Sequence, residues 1–459
     1  MLNVDVLIAG GGPAGCSAAA ALAELGRRVL LVDAGGDRAK QLAGELLHPG
    51  GVRDLEQLGF GTLRQASGAC LIHGFAVIDN CGNAPRGCLL PYGEARVGIA
   101  VEHVAMTEPL WKGLEARARV ERWRPARVIG VTQNDPQGVE VAVRRDGGAE
   151  ERIFARLLVA ADGRASPVRS LLGIGEKRER LSTMLGVAVE AGHLPHPGYG
   201  HLFVGGAAPV LAYEIDRGRA RVMVDLPLRS NAESLASSPQ LLSGLPVGLR
   251  EQVLRRLSLE RPLMAANETR LSQRVAEQSA VLIGDAAGCC HPLSASGLAS
   301  STRDARVLQA ALQECGDDYP RAAQLYARRR RAPQRTRIAL ASALYRAFSE
   351  PSGEMIALRA GLFRYWERSA EGRAVSMALL STDESRMSVM AREYARVVGH
   401  GLAAMAQGHA DEFPRGFRRS WPAAWRLARS MLPHLRQTLQ GALQDRFIGT
   451  SPNSRAGTK

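Results

Sequence analysis

Three short segments carry residues whose types and spacing suit the handling of a bound nucleotide. In VDVLIAGGGPAG (4–15), Gly10, Gly12 and Gly15 stand in GxGxxG spacing. Gly10 permits a tight turn, Gly12 lets the backbone approach a pyrophosphate, and Gly15 lets a helix pack closely on the strand before it. Pro13 and Ala14 open that helix, whose free N–H groups and positive dipole end face the phosphates. Asp33, at the end of VLLVD and roughly 20 residues past the glycines, suits the ribose hydroxyls of an adenosine.

The other two segments choose the nucleotide. LLVAADGRASPVR (157–169) runs an apolar strand into Asp162-Gly163, with Ser166 and Arg169 beyond it. AVLIGDAAGCCHPLSASG (280–297) places Gly284 and Asp285 at a strand end, followed by Pro292 and a helix starting near Ser296-Gly297. Strand-end carboxylates accept hydrogen bonds from ribityl hydroxyls, and a second helix start stabilises negative charge on a reduced isoalloxazine. Alone, DG and GD are ordinary turn dipeptides. In this order after a GxGxxG they specify FAD, with Arg38 and Glu45 completing the cofactor-binding candidates.

The elements that must hold these residues follow from hydrophobic pattern. Residues 1–60, 97–175 and 275–330 alternate strands with helices and form a discontinuous FAD-binding domain. Short apolar-polar runs such as LGVAVEAG, PVLAYEID and RARVMVDLP make 180–275 an antiparallel sheet, which with 61–96 forms a substrate domain. Residues 331–445 read as helical, with ARRRRAPQRTR (327–337) as a basic junction, and 446–459 as a polar disordered tail.

Composition narrows the class further. At 459 residues and 46% hydrophobic, the chain can bury a substantial core. Its net charge of +14 is carried mainly by arginine, and at 5% aromatic it has no basic patch interleaved with aromatics, which argues against nucleic acid. The cysteines Cys16, Cys70, Cys81, Cys88, Cys289, Cys290 and Cys315 contain no CxxC, which fits reduced thiols in the cytoplasm better than a Cys81–Cys88 bridge. Cys289-Cys290-His291 lacks the further ligands a metal needs, so no metal is expected. The chain opens on a strand and has no run of 18 apolar residues. In SWPAAWRLARSMLPHLRQTLQGAL (420–443), tryptophans and leucines recur at helical spacing among arginines. Such a helix either packs on the protein or lies in the inner face of a membrane.

The order GxGxxG, DG, GD resembles the flavoprotein monooxygenases of the hydroxybenzoate-hydroxylase type. Finer features resemble the squalene monooxygenase family. GELLHPGGVRDLEQLG (44–59) is close to its GELLQPGG segment, and GDAAGCCHPLSASG to its GDA…RHPLTGGG. Weaker echoes are HGFAVID (73–79), LPY (90–92), APVLAYEI (208–215), VMVDLP (222–227), and FRYW and ALLS within 363–381. Departures are Phe75 where the family has a tyrosine, Ala295 and Ser296 in place of two glycines, and VEHVAM (101–106) in place of an HGR-type arginine. Helix-start donors tolerate Ala or Ser wherever φ stays negative.

The resemblance implies an α/β fold. A Rossmann-like FAD-binding domain of the glutathione-reductase and hydroxybenzoate-hydroxylase type joins an antiparallel substrate domain and a C-terminal helical region. It implies oxygen transfer from a C4a-hydroperoxyflavin to a small lipophilic substrate, by epoxidation or hydroxylation of an isoprenoid or prenylated arene of secondary metabolism. NAD(P)H supplies electrons directly or through a reductase, and O₂ is co-substrate. Tyr213 is the catalytic candidate, as a pocket hydroxyl near the flavin. Phe75, Tyr92 and His291 are pocket residues by resemblance, and His48 is a loop residue beside the adenine half. A prenyl double-bond reductase and a non-catalytic prenyl-lipid carrier on the same fold remain open. A flavin-dependent halogenase is disfavoured, since its WxWxIP segment is missing.

Overall fold

The computed structural model describes residues 1–36, 42–65, 68–80, 85–228 and 230–406. The strand Leu2–Ala9 lies at the centre of the first sheet, parallel to Val29–Val32 on one side and Glu150–Ala160 on the other. Val6, Leu7 and Ile8 are wholly buried, as a strand covered on both faces requires. Val120–Trp123 and Ala280–Leu282 extend the parallel part, and the hairpin of Ala126–Asp135 and Gly138–Arg145 pairs antiparallel beyond it.

The helix Pro13–Glu24 crosses this sheet on a row of small residues, Ala18 to Ala21, all fully buried. Their size lets Gly297–Cys315 pack against it, so the helices of the first and third motifs lie side by side.

The second sheet has eight strands. Their order is Gly288–Cys289, Leu263–Ser272, Glu176–Glu190, Arg219–Leu226, Val210–Asp216, Gly200–Val204, Gly74–Asp79 and Arg86–Pro91. All pairs are antiparallel except Gly200–Val204 with Gly74–Asp79. Alternation sends Val187, Val222 and Phe203 into one core with the helix Val247–Leu259, and Met184, Met223 and Tyr213 into another toward the C-terminal helices. A small third sheet, Leu46–Leu47, Gly98–Ala100 and Cys70–Ile72, sits beside the helix Pro49–Gln57.

The VEHVAM segment runs into a helix that starts at His103. One expectation changes. The basic stretch 327–337 is no junction, because Tyr319–Ser349 is one helix running through Pro333. Its arginines divide by helical phase: Arg330 and Arg337, seven apart, face inward and are buried, while Arg328 and Arg331 are exposed. Gly353–Arg368, Ala370–Leu380 and Met387–Ala406 complete the helical region. No helix among the described residues is long and apolar enough to cross a membrane. The amphipathic segment 420–443, the tail 446–459, Arg38 and Cys81 lie outside the described residues.

Candidate flavin and substrate site

A cleft of about 400 Å³ runs between the two sheets. Gly12, Pro13 and Ala14 enter its wall from the first motif, Gly163 from the second, and Asp285, Pro292, Ser296 and Gly297 from the third. Gly10 has φ +105, and a Cβ there would lie 2.3 Å from the Ala161 carbonyl oxygen. At Gly12 a Cβ would meet nothing within 4 Å, and the same holds at Gly297. Neither helix start carries a side-chain cap, so two sets of unpaired N–H groups converge on one cleft. An uncapped helix start beside open space is the provision a pyrophosphate needs, and a second one suits an anionic ring. The chain's own groups thus fit an extended dinucleotide.

The carboxylates divide by role. Asp285 lines the cleft. Asp33 lies against Gly11, outside the cleft wall, accepting from the Gly11 amide at 2.6 Å and the Gly35 amide at 3.0 Å, with Arg124 3.3 Å away. Arg124 in turn stacks on Trp111, its guanidinium 3.9 Å from a ring centroid. Asp162 accepts from Ser166 Oγ and, at 2.9 Å, from the Val168 amide, holding the turn in which Gly163 sits. Burial pushes its carboxyl up, against those bonds. Arg169 ties the second motif to the third, donating to the carbonyls of Ala165 and Ala286 at 3.1 and 3.0 Å. Gly284 is held by Asp304, which accepts from its amide at 2.9 Å and pairs with buried Arg330. Ala295 has φ +48, so one of the two glycine replacements falls where L-residues are strained by about 1 kcal/mol, against the expectation of a negative φ.

On the substrate-domain wall, Glu45 is locked to Arg221 through two bonds of 3.0 and 2.8 Å. Tyr213 lies beside them, 2% exposed. Burial first, then the Glu45 charge, hold its phenol well above the ordinary range, so it stays a proton donor. His291 accepts from the Leu293 amide at Nδ1, which places its proton on Nε2, 3.1 Å from Ser182 Oγ. Ser182 donates to Asp225, and Asn267 bonds both, at 3.0 and 2.9 Å. Asp225 Oδ2 is 3.1 Å from Nε2 yet off the line of its N–H, and stays without a hydrogen bond. Cys289 and Cys290 line the cleft with thiols pushed up by burial, Cys289 to about 12, so neither is a ready nucleophile.

A second cavity of about 110 Å³ lies between Gly74–Asp79, Arg86–Pro91 and the C-terminal helices. Phe75, Leu90, Leu344, Phe348 and Trp366 line it. The segment 291–295 divides the two spaces, with His291, Pro292 and Ala295 on the cleft and Leu293 on the chamber.

Tyr92, expected at the pocket, lines neither space. Its hydroxyl donates to His48 Nδ1 at 2.7 Å, while His48 Nε2 donates to the Ser294 carbonyl at 2.9 Å. His48 is therefore a buried brace under the dividing segment, and not a loop residue beside adenine. Burial pushes its imidazole from 6.5 down to about 4. Between those values only the unfolded chain takes up the proton, so His48's contribution is complete above pH 6.5 and falls by about 3 kcal/mol as pH drops toward 4. His201 is lowered to about 4 likewise, chiefly by burial and then by His196. His48→Gln retains an acceptor for Tyr92 and a donor for Ser294. Urea unfolding at pH 7 and pH 4.5 is expected to show roughly half the wild-type loss in this variant; an unchanged loss would refute the assignment.

Arg221, Ser182, Asn267, Trp111 and Arg124 escape motif reasoning, being brought in by register and packing. Only Asp225, a carboxylate inside the apolar run VMVDLP, leaves a trace in the sequence.

A Rossmann-like sheet, two uncapped helix starts on one cleft and an apolar chamber beside it define a flavin-nucleotide oxidoreductase. The chain belongs to the FAD binding domain family, whose match covers residues 3–336. It is 28% identical over 412 residues to the squalene monooxygenase of Mus musculus, covering 85% of this chain and 70% of that one. It is 28% identical over 400 residues to a squalene epoxidase of Aspergillus fumigatus, covering 80% and 79%. Among solved structures, pqsL, a probable FAD-dependent monooxygenase from Pseudomonas aeruginosa, superposes with TM-score 0.64 at 23% identity, covering 76% of this chain and 97% of that one. A flavoprotein/dehydrogenase from Cytophaga hutchinsonii gives 0.71 at 14%, covering 88% and 100%; both show the fold. The protein is a flavoprotein monooxygenase, with FAD as cofactor.

Proposed function

We propose that this enzyme epoxidises or hydroxylates an apolar, unsaturated substrate, an isoprenoid chain or a prenylated or alkylated arene. The observation that carries the reading is the apolar chamber divided from the flavin cleft by one short segment. The names of the squalene-oxidising relatives support it.

Bound reduced FAD supplies the activated oxygen atom. The chain's own work is placement. Gly12 and the helix start after it would hold the phosphates, Asp285 and the Ser296-Gly297 helix start would serve the ribityl and ring, and the Tyr213 phenol would offer a hydrogen-bond donor to the cleft. The second sheet and the helices after residue 319 form the substrate part, where Phe75 and Leu293 exclude water from an alkene. Excluding water matters because an oxygen-transfer reagent is lost to hydrolysis wherever solvent reaches it.

The test is reduction of the FAD-loaded enzyme with NADPH, directly or with a reductase, then reaction under ¹⁸O₂ with a prenylated alkene. One ¹⁸O atom in the product is expected. A saturated product formed without oxygen uptake would establish a double-bond reductase, and a chain that takes up no FAD would leave the lipid carrier.

A further inference from the structure

The residues lining the chamber are hydrocarbon except for Glu393 and Ser376, with Trp366 and Tyr394 carrying one polar atom each. Glu393, on Met387–Ala406, is 4% exposed. Its carboxylate accepts from Tyr365 on one oxygen, and from Arg392 at 3.0 Å and Arg396 at 3.1 Å on the other. Both arginines reach it from the solvent side, with side chains 52% and 40% exposed. Three donors fill three of the about four lone-pair positions of a carboxylate. One acceptor position remains on the carboxylate of a residue that lines the chamber.

Ser376 has the opposite deficit. Its oxygen accepts from Trp366 Nε1 at 2.9 Å, and its own proton meets no acceptor among the described residues. The two groups are set by neighbouring residues of one helix turn, Tyr365 holding Glu393 and Trp366 holding Ser376. Bracing the helices Gly353–Arg368 and Met387–Ala406 accounts for the oxygen turned to Tyr365. It does not account for a hydroxyl of opposite need on the same wall.

We propose that the chamber receives the far end of the substrate and that this end carries a hydroxyl group. The substrate is then an isoprenoid or alkenyl alcohol, not a plain hydrocarbon. Its O–H donates to Glu393, and its oxygen accepts from Ser376 Oγ–H. At 110 Å³ the chamber holds roughly eight non-hydrogen atoms, taking about 10–15 Å³ for each by the water criterion. The alkene would then lie toward Leu293 and the flavin cleft.

This inference rests on the oxygenase reading of the cleft, so its test avoids turnover. Farnesol and farnesene, matched in chain and differing in the hydroxyl, are titrated into FAD-loaded protein without NAD(P)H, following Trp366 fluorescence against a Trp366→Phe control. Wild type is expected to bind farnesol at least tenfold more tightly, since sites built around a hydroxyl reject the analogue lacking it. Glu393→Gln and Ser376→Ala should each cut that preference by severalfold while leaving farnesene affinity unchanged. Equal affinities in the wild type, or a preference that survives both substitutions, overturn the proposal. Ser376→Ala keeps the Glu393 ion pairs intact, so the result does not hang on the folding of Glu393→Gln. Failure of the oxygenase reading would appear instead as absent ¹⁸O incorporation with this preference preserved.

Discussion

Gly15→Ala is expected to abolish FAD binding and to cost the fold several kcal/mol, whereas Gly12→Ala, three residues away, leaves the fold intact and weakens FAD alone. A Cβ on Gly15 would lie 1.8 Å from the carbonyl oxygen of Gly10. The Cβ meets backbone that cannot rotate away, so relief requires the helix Pro13–Glu24 to lift off the strand that positions it. Lifting it uncovers the alanine row packed on Gly297–Cys315, and overpacking of this severity exceeds the roughly 1–3 kcal/mol of an ordinary inserted methyl. Gly12 has open space on the cleft side and a φ of -78, within reach of any L-residue. Its methyl would occupy the space a phosphate must enter. Thermal melting without added FAD should separate the two: Gly15→Ala melts far below wild type, and Gly12→Ala within a few degrees. FAD titration should then show at least tenfold weaker binding for Gly12→Ala. Undiminished affinity there would mean that the cofactor's phosphates do not approach this turn.

The contrast between these glycines marks what was legible in the sequence. The three motifs are local, each a strand, a turn and a helix start, so spacing alone predicts the elements that bring Gly12 and Ser296-Gly297 to one cleft. Alternation in 180–275 likewise gives the antiparallel sheet, because a half-buried strand writes its two faces into every second residue. Long-range polar pairing leaves no such mark. Glu45 and Arg221 are 176 positions apart, and Ser182, Asp225 and Asn267 converge only because three strands adopt one register. Asp162 shows a subtler limit. Its position as a strand-end acid is the expected one, but a carboxylate there serves equally well to cap the next helix, and Ser166 and the Val168 amide take it. The arginine run 327–337 misleads for a related reason. Charge density suggests a solvated junction, yet 3.6-residue phase carries Arg330 to Asp304 and Arg337 to the Gly288 carbonyl, both beneath the third motif.

Glu45→Ala carries the second large effect, an expected loss of about 3–5 kcal/mol in urea unfolding at pH 7. Arg221 has 7% of its surface exposed. Burial draws its guanidinium down, and the hydrogen bonds and charge of Glu45 more than reverse that. Removing the acid leaves a permanent charge that cannot neutralise itself, since arginine stays protonated at any pH a protein survives. The double variant Glu45→Met with Arg221→Leu removes both charges at similar volume and should recover most of the loss, because two apolar side chains do without the desolvation that the pair must overcome. The cycle therefore separates the cost of an orphaned charge from the value of the pair. FAD affinity gives the functional half of the answer. Glu45 and Tyr213 line the cleft wall, and the Glu45 charge raises the phenol while the Arg221 charge opposes it. If the pair exists to shape that wall, the double variant should fold like wild type yet hold FAD more weakly. A Glu45→Ala variant within about 1 kcal/mol of wild type would show that water reaches Arg221 and that the wall is open at this point.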